Sequence, residues 1–503
     1  MGRHLRFPLV SGALVCLVVL AYANHFDNAF QFDDSHAIVN NAAIRDLGNI
    51  PSFFVDASTG SSLPQNQAYR PGLTTLNALD YALGGGLQPR VFHRSIFLSY
   101  LLLGVLLYFF YAHIAVHSSD RPWARLLALL GTGGFMVHAA NAETINYIVQ
   151  RADSFSTLMV LLGFVIYQYK PRWRRGFVYL LPMVVGFFVK SPALMFAPLL
   201  FVYLFLFETN GTEGSVGVKE RLMASLRGSL PALILATALF LFWQRMTPDH
   251  WFPSSIPRFR YLITQPFVLV HYFDNFLLPV QLTADTDWRP LTTLADDRFF
   301  VGIAFILALG GIAVLSARKR ETRPIAFGIA WFFIALIPTS SIFPLNEVFN
   351  DHRTFFPYIA LMLAASWTVG LLVQRHEDLF SRSPSARMLL GACVALFLLG
   401  HAAGTVRRNR VWATGESLWR DAVVKSPMNP RALLNFGITQ MEKGDYAAAE
   451  GYFQTAVALA PTYSYLHINR GILYGVMARP TEAELAFQDA LRYANLSPDP
   501  YYH

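Results

Sequence analysis

Two adjacent carboxylates stand in the first polar loop of the chain, which reads Phe32-Asp33-Asp34-Ser35. Two acids so close repel each other, which tends to raise the pKa of one of them and suits a general base or a cation site. A solvated turn that simply ends the preceding helix explains the same residues equally well. The residue types alone therefore leave both interpretations open.

A second polar group lies between apolar segments and contains His138, Glu143, Arg151 and Asp153. These side chains could form an interfacial helix face of satisfied ion pairs. They could equally form a pocket that recognises phosphate and sugar hydroxyls, because the planar guanidinium of arginine donates hydrogen bonds in a geometry that matches phosphate. Both interpretations stay open at this point.

Three further segments carry ionisable residues beside apolar runs: Arg70 in the first loop, Lys190 between two runs, and Glu347, His352 and Arg353 before a late run. A lysine at the end of a membrane helix commonly snorkels toward water. Ionisable residues at the edge of a membrane domain are nevertheless candidates for a functional site. No metal site is predicted, because nothing in these residues requires a metal, although the Asp33-Asp34 pair could hold one.

Composition indicates what must position these residues. The chain has 503 residues, of which 54% are hydrophobic and 14% charged, whereas soluble proteins carry about 25% charged residues. A nucleic-acid-binding protein would concentrate its net charge of +8 on one soluble face. Here the basic residues stand in short breaks between apolar runs, which predicts topological anchors in a polytopic membrane protein and no nucleic-acid partner.

A membrane-spanning helix needs about 20 largely apolar residues. Twelve runs approach this length: 7–23, 95–116, 123–137, 154–169, 176–189, 193–207, 229–246, 261–280, 298–316, 324–340, 354–373 and 388–406. The run 261–280 is the weakest, because it contains two prolines and several polar residues. The fold class predicted is all-α, with a helical membrane domain.

The distribution of Lys and Arg predicts which runs cross the membrane. With Arg3 and Arg6 in the cytoplasm, a crossing by 261–280 would place the basic cluster at 318–320 outside and the acidic loop 285–297 inside. We therefore predict eleven spans, with 261–280 in the interface or re-entering. The first loop, the acidic loop and the C-terminus then lie on the extracytoplasmic side.

An internal repeat begins where the hydropathy falls, beyond residue 410. Four residues recur after 34 positions: Gly437, Ala449, Phe453 and Ala456 correspond to Gly471, Ala483, Phe487 and Ala490. This period, with small residues where paired helices cross, is typical of tetratricopeptide repeats. We predict a membrane domain over 1–410, with a large first extracytoplasmic loop at 24–94, and a repeat domain over 411–503. So short an array is expected to dock on the membrane domain or on a partner.

The order of these segments resembles the transmembrane and tetratricopeptide-repeat O-mannosyltransferase family, and more broadly the multi-spanning GT-C glycosyltransferases. The resemblance covers nearly the whole chain and is carried by Phe32-Asp33-Asp34, Tyr69-Arg70-Pro71, the stretch from His138 to Asp153, Lys190, Pro338-Thr339-Ser340-Ser341, Asn346 to Arg353 and the repeats. It implies a polyprenyl- or dolichyl-phosphate sugar donor, with mannose as the sugar, and a protein acceptor that the repeats could dock.

The resemblance also implies roles for the polar residues. Asp33 would be the base that activates a Ser or Thr hydroxyl, with Asp34 in support. Glu143 would hold the sugar or the acceptor. The lipid phosphate would be neutralised by the basic residues Arg70, Arg151, Lys190 and Arg353. The sequence departs from the family at Ala139 and Ser191, where proline and glutamate are common, and at Asp351-His352-Arg353.

Two other functions compete with glycosyl transfer. A transporter or flippase would show symmetry between two halves and broken helices near the midplane, and the sequence shows no such repeat. A non-enzymatic scaffold would leave the polar loops without a role. The compact loops and brief repeat array favour a bacterial inner membrane with periplasmic repeats, or the endoplasmic reticulum membrane in a eukaryote. No cofactor is predicted beyond the lipid-linked donor.

Overall fold

The computed structural model describes residues 6–208, 217–248, 254, 256–341 and 344–494. Throughout these ranges the regular secondary structure is helical and contains no β-strand, which confirms the all-α class. Arg3, used above to orient the chain, lies outside the described residues.

The membrane domain is built from helices of very unequal length. They are α1 (Arg6–Ala21), α2 (Ile50–Phe53), α3 (Pro71–Gly84), α4 (Pro89–Ser118), α5 (Ala124–Met136), α6 (Asn141–Asn146), α7 (Arg151–Tyr169), α8 (Pro171–Arg175), α9 (Leu181–Val189), α10 (Phe196–Tyr203), α11 (Val218–Met246), α12 (Arg258–Leu277), α13 (Asp297–Ser316), α14 (Arg323–Leu336), α15 (Phe355–Arg375), α16 (Glu377–Arg382) and α17 (Pro384–Val411). Short 3-10 and π-helical turns extend or connect several of them.

Within the described residues, seven helical segments are long and apolar enough to cross a membrane, judged by length and composition. They are Pro89–Ser118, Ile148–Tyr169, Ser191–Glu208, Val218–Met246, Asp297–Ser316, Asp351–Arg375 and Pro384–Val411. The same ranges contain three shorter apolar helices, Phe7–Ala21, Ala124–Met136 and Val178–Val189. The chain is an integral membrane protein, and the count of eleven spans stays a prediction.

Aromatic and aliphatic side chains form one continuous core through the membrane domain. Within it α4 packs on α5 and α7, and α14 packs on α15. The close approach of α14 to α15 depends on Gly328, because a Cβ atom there would overlap the carbonyl oxygen of Ala360. Such packing leaves few voids, so the helices hold the connecting loops in fixed positions.

The C-terminal helices, a name used here for α18 (Gly415–Lys425), α19 (Pro430–Glu442), α20 (Tyr446–Leu459), α21 (Ser464–Val476) and α22 (Pro480–Ala494), pack as successive neighbours. A Cβ atom at Gly437 would lie 2.5 Å from Phe453, and one at Gly471 would lie 2.5 Å from Phe487. The 34-residue repeat thus places small residues and aromatic rings at helix crossings. Its assignment as a tetratricopeptide array stays a prediction.

Loops that the charge distribution assigns to one side of the membrane meet in the structure. Arg320 donates a hydrogen bond to the carbonyl oxygen of His117 at 2.7 Å and lies 3.2 Å from Asp120. At the other end, Asn429 of the C-terminal helices donates to the carbonyl oxygen of Thr286 at 2.9 Å. The acidic loop and the C-terminal helices therefore lie together. Their extracytoplasmic location stays a prediction.

Candidate functional site

The two adjacent carboxylates of the first loop have different surroundings. Asp34 is fully buried, and its two oxygens accept the backbone N–H groups of Gln31 at 2.9 Å and Val149 at 2.8 Å. The side chain of Asp33 is 49% exposed, and its Oδ1 lies 3.4 Å from Nε2 of His36. The backbone N–H of Asp33 donates to the Tyr147 hydroxyl at 3.0 Å. Only Asp33 is free to meet a substrate.

These surroundings also separate the pKa values of the two acids. Burial raises the pKa of Asp34 to about 8, and the charge of Asp33 adds to the rise. Burial acts on the pKa of Asp33 in the same direction, but the hydrogen bond and charge of His36 and the Tyr147 hydroxyl outweigh it and lower that pKa below its ordinary value. At neutral pH Asp33 is therefore ionised, whereas Asp34 is largely protonated.

Phe32 attaches this loop to the C-terminal helices. Its φ angle of 49° lies in the left-handed region, which is uncommon for a residue with a side chain and turns the ring out of the loop. The ring packs against Trp419 with centroids 4.7 Å apart, and the guanidinium of Arg431 lies 5.9 Å from its centroid. The orientation of Asp33 therefore depends on residues about 400 positions away in the chain.

Arg431 joins the C-terminal helices to two acidic residues of the membrane domain. Its Nε and Nη2 atoms each lie 2.6 Å from a carboxylate oxygen of Asp285. Nη2 also lies 3.0 Å from Oε1 of Glu347, and Oε2 of Glu347 lies 3.4 Å from Nη2 of Arg353. Phe32, Arg431, Glu347 and Arg353 thus form a continuous chain of contacts. The first loop and the segment at 346–353 belong to one site.

Two further predicted phosphate-binding cations are, like Arg353, paired with carboxylates. Arg151 forms a buried ion pair with Asp80, and each side chain is 4% exposed. Nζ of Lys190 lies 2.8 Å from Oδ2 of Asp153 and 3.1 Å from Oε1 of Gln150. Arg151 is therefore held in place by its own counter-ion. Lys190 lies at the border of the site with one carboxylate partner.

Arg70 differs from these cations. Its side chain is half-buried, and no carboxylate among the described residues lies within ion-pair distance of it. Burial lowers the pKa of Lys190, and the positive charge of Arg70 adds to that effect, so the two cations lie near each other. The charges of Arg70, Lys190 and Arg353 all act on His352. Of these three cations, Lys190 and Arg353 have carboxylate partners, so an anion near His352 would compete with Asp153 and Glu347 for them.

Glu143 and His352 form a hydrogen-bonded pair. Nδ1 of His352 lies 3.0 Å from Oε1 of Glu143, and both side chains are almost buried. Burial raises the pKa of Glu143 well above its ordinary value, and the charge of Asp351 adds to the rise. Glu143 therefore keeps its proton to higher pH than an ordinary glutamate does, and in its protonated form it would donate that proton to Nδ1 of His352.

His138 is occupied by helix packing. Its Nε2 lies 3.0 Å from the carbonyl oxygen of Phe276, and its Nδ1 accepts the backbone N–H of Ala140 at 3.3 Å. The imidazole is fully buried and stacks on the Phe276 ring. Both ring nitrogens of His138 are therefore engaged within the protein.

Five residues that connect the site were missed by sequence reasoning. They are His36, Asp80, Tyr147, Asp285 and Arg431. Asp80 carried a usable signal, because a single carboxylate in an otherwise uncharged helix requires a partner. Arg431 carried none, since a basic residue at the start of a repeat helix is ordinary. Within the described part of the chain, no group of three His, Cys, Asp or Glu side chains could hold a metal ion.

A cleft of about 370 Å³ opens between the first loop and the C-terminal helices. His36, Asn40 and residues near Ser62 line one wall, and Asn435 and Asn469 line the other. Because His36 lies 3.4 Å from Asp33, the cleft is adjacent to the ionised carboxylate of the site.

Comparison with known proteins identifies related chains. Protein O-mannosyl-transferase TMTC3 of Mus musculus is 22% identical over 510 aligned residues, which cover 94% of this chain and 54% of that protein. Protein O-mannosyl-transferase TMTC4 of Homo sapiens is 24% identical, covering 87% of this chain and 64% of that protein. Protein O-mannosyl-transferase TMTC1 of Homo sapiens is 25% identical, covering 90% and 55%.

This chain therefore spans between about half and two thirds of the length of these relatives. No protein-family model matches it. No solved structure matches it either. The similarity extends over most of the chain, and the resemblance to the O-mannosyltransferases with transmembrane and tetratricopeptide segments is confirmed.

Proposed function

We propose that this protein is a membrane glycosyltransferase that moves a sugar, mannose, from a polyprenyl-phosphate donor to a Ser or Thr hydroxyl of a protein. The names of its relatives support the reaction class and the protein acceptor. The observation that carries the proposal for this chain is the environment of Asp33. Its carboxylate is ionised and half exposed, lies beside a cleft, and is acted on by the positive charge of Arg431.

Asp33 acts as the general base. An ionised carboxylate that is open to substrate can accept the proton of a hydroxyl as that hydroxyl attacks. Asp34 holds the loop through its two backbone hydrogen bonds and is a positioning residue. His36 and Tyr147 keep the charge on Asp33, because both lower its pKa against the effect of burial.

Arg70, Lys190 and Arg353 bind the donor phosphate. Arg70 follows Tyr69, whose ring packs against Phe242 of α11 with centroids 5.7 Å apart. Most of the apolar surface of α11 is unburied within the protein, so a polyprenyl chain could lie along it. This arrangement keeps the tail of the donor in lipid while its phosphate reaches the cations.

The transfer balances without any further reactant. The acceptor hydroxyl oxygen bonds to the anomeric carbon of the sugar, and the bond from that carbon to the phosphate oxygen breaks. The hydroxyl proton passes to Asp33, and the electron pair remains on the lipid phosphate. Cations aimed at the departing phosphate stabilise the charge that develops there. Attack from the face opposite the phosphate inverts the configuration.

The test uses purified protein in detergent, a polyprenyl-phosphate mannose donor and a Ser/Thr peptide whose mass is followed. Replacing Asp33 by Asn should lower transfer by about 10²–10⁴-fold, the contribution of a general base. Asp46→Asn is the matched control, because Asp46 lies exposed in the same loop and its capping of Gly48 can be kept by asparagine. Full transfer by the Asp33→Asn protein would remove Asp33 from catalysis.

The site is proposed to face the extracytoplasmic side, where the first loop and the C-terminal helices meet. The relatives reported above come from animals, and nothing in them supports a bacterial inner membrane. The endoplasmic reticulum membrane is the compartment that we propose. Accessibility of an added cysteine at Asp46 to an impermeant reagent, in sealed vesicles, tests the side.

A further inference from the structure

The cleft between the first loop and the C-terminal helices has a composition unlike that of the rest of the site. His36, Ser35, Asn40 and Ser62 line it from the loop, and none of them is an acid, a lysine or an arginine. Its volume of about 370 Å³ is within the range of ligand pockets, about 300–1,000 Å³. Leu63, Leu434, Ile438 and Tyr465 also line the cleft. A cleft with no acid, lysine or arginine is unsuited to a phosphate and suited to a ligand that combines hydrogen bonds with apolar contacts.

Two asparagines of the opposite wall repeat the same local geometry. Asn435 donates its amide N–H to the carbonyl oxygen of Arg431 at 2.8 Å, and Asn469 donates to that of Tyr465 at 2.8 Å. The two positions are 34 residues apart, one repeat period. In both, the bond from Nδ2 to the carbonyl four residues earlier fixes the amide plane. Neither Oδ1 accepts a hydrogen bond from any described residue.

We infer that this cleft binds an extended segment of the acceptor polypeptide through its backbone. Each Oδ1 accepts a backbone N–H of the segment, so Asn435 and Asn469 hold it at two points one repeat apart. The loop wall then brings a Ser or Thr of the segment past His36 to the Asp33 carboxylate. This inference rests on the proposed protein acceptor.

The position and the chemistry of the cleft favour this occupant over a lipid or a sugar phosphate. The cations proposed for the donor, Arg70, Lys190 and Arg353, do not line the cleft. Donor and acceptor would therefore enter from different directions and meet at Asp33. Stacked helical repeats characteristically present such elongated binding surfaces. Backbone recognition also tolerates different sequences around the modified hydroxyl.

The experiment measures binding and transfer on the full chain. A fluorescent, uncharged peptide containing Thr is titrated onto the detergent-solubilised protein, and the Michaelis constants for peptide and donor are measured separately. Each of Asn435→Ala and Asn469→Ala should weaken peptide binding about fivefold, and the double variant about thirtyfold, as expected for one hydrogen bond per residue. The Michaelis constant for the donor should not change.

Gln454→Ala is the matched control, because it removes an exposed amide from α20 outside the cleft. A peptide methylated at its backbone nitrogens lacks the N–H groups that the two asparagines would accept, so it should bind the wild-type protein weakly. Its affinity for the double variant should be only slightly lower than its affinity for the wild type. That coupling separates a lost contact from a misfolded helix.

The outcomes separate this inference from the proposed function. Transfer that persists in the double variant, with an unchanged Michaelis constant for the peptide, overturns the inference and leaves the glycosyltransferase intact. If the wild-type protein shows no transfer activity but binds the peptide in a way that depends on both asparagines, the inferred peptide site is supported and the proposed glycosyltransferase function is overturned. Equal binding of methylated and unmethylated peptides also overturns backbone recognition.

Discussion

The ion pairs of the candidate site are far more buried than an ion pair at the opposite end of the membrane domain. At one end Arg320 and Asp120 lie 3.2 Å apart, with side chains 46% and 85% exposed. At the other end, α4 begins near the candidate site, about 45 Å away along its 30 residues. Here Arg151 and Asp80 are each 4% exposed, and Arg431 and Asp285 are 12% and 3% exposed.

The physical meaning of the pairs differs accordingly. An exposed pair contributes about 0–1 kcal/mol, because water screens it. A buried pair has lost the hydration of both charges, and apolar residues of similar size often serve stability as well or better. Because burying these charges costs hydration free energy, their presence is better explained by the way they fix the positions of the segments that they join. The exposed end anchors the chain, whereas the buried end holds loops in register around Asp33.

The largest expected effect comes from removing one partner of a buried pair. Asp80→Asn leaves the charge of Arg151 uncompensated, and breaking a buried pair typically costs about 3–5 kcal/mol. Asp120→Asn is the control at the other end and should change stability by less than about 1 kcal/mol. Unfolding in one detergent, followed by circular dichroism, measures both. Adding Arg151→Met to Asp80→Asn should recover most of the loss.

Equal stability of the Asp80→Asn and Asp120→Asn proteins would contradict the distinction between the two ends. It would mean that water or lipid headgroups reach Arg151. The buried geometry would then carry no information about function.

A second prediction concerns Arg431. Among the described residues of the C-terminal helices, only Arg431 forms ion pairs with Asp285 and Glu347. Arg431→Gln removes that cation, so the loop shifts and transfer should fall by about 10–100-fold, the scale of an ångström-sized misplacement. Arg431→Lys keeps the charge without the forked geometry and should lose less. Arg420→Gln, at an exposed pair on α18, should change nothing.

The pH profile distinguishes positioning from mere loss of folding. Burial alone would raise the pKa of Asp33. The contacts with His36 and Tyr147 lower that pKa, and the positive charge of Arg431 lowers it further. The acid limb of transfer should therefore move to higher pH in Arg431→Gln and stay in place in Arg431→Lys. An unchanged limb in both proteins would separate Arg431 from the base.

Sequence reasoning reached the helices more easily than the contacts between them. The run 298–316 matches α13 and the run 354–373 matches α15, because a long apolar stretch has few other structures available to it. The distribution of Lys and Arg also assigned the loop after α4 and the basic cluster at 318–320 to one side of the membrane, and these two segments are in contact. The pairing of Arg151 with Asp80, 71 residues away, was not predictable. The periodicity of a helix shows on which face a residue lies, but it does not show which residues of other helices pack against that face.

The roles of individual site residues could not be predicted from the sequence for the same reason. The residue types alone do not distinguish Asp33 from Asp34, and only the family resemblance favours Asp33 as the base. The fold shows Asp34 bound by two backbone N–H groups. His138 stood within a polar motif, yet its ring is taken up by Phe276 and Ala140. Which member of a motif faces a substrate depends on tertiary packing.

The smallest effect is expected at Glu143, a buried acid whose pKa is raised. Because burial raises its pKa well above the ordinary 4.5, the folded protein binds one more proton than the unfolded chain above that pH. Stability then falls as the pH rises from 4.5 through the raised pKa. Glu143→Gln keeps a hydrogen-bond donor for His352 and should change transfer less than about threefold.

The pH dependence of unfolding gives the clearer reading of this variant. The Glu143→Gln protein lacks the titrating group, so its stability should decline less with pH than that of the wild type. Glu143→Ala is the contrasting variant, because it leaves Nδ1 of His352 without its partner, which costs about 1–3 kcal/mol. Identical pH slopes for wild type and Glu143→Gln would show that Glu143 is ionised in the folded protein. The buried end would then hold one more charge, and Glu143 would join the acids that need a cation nearby.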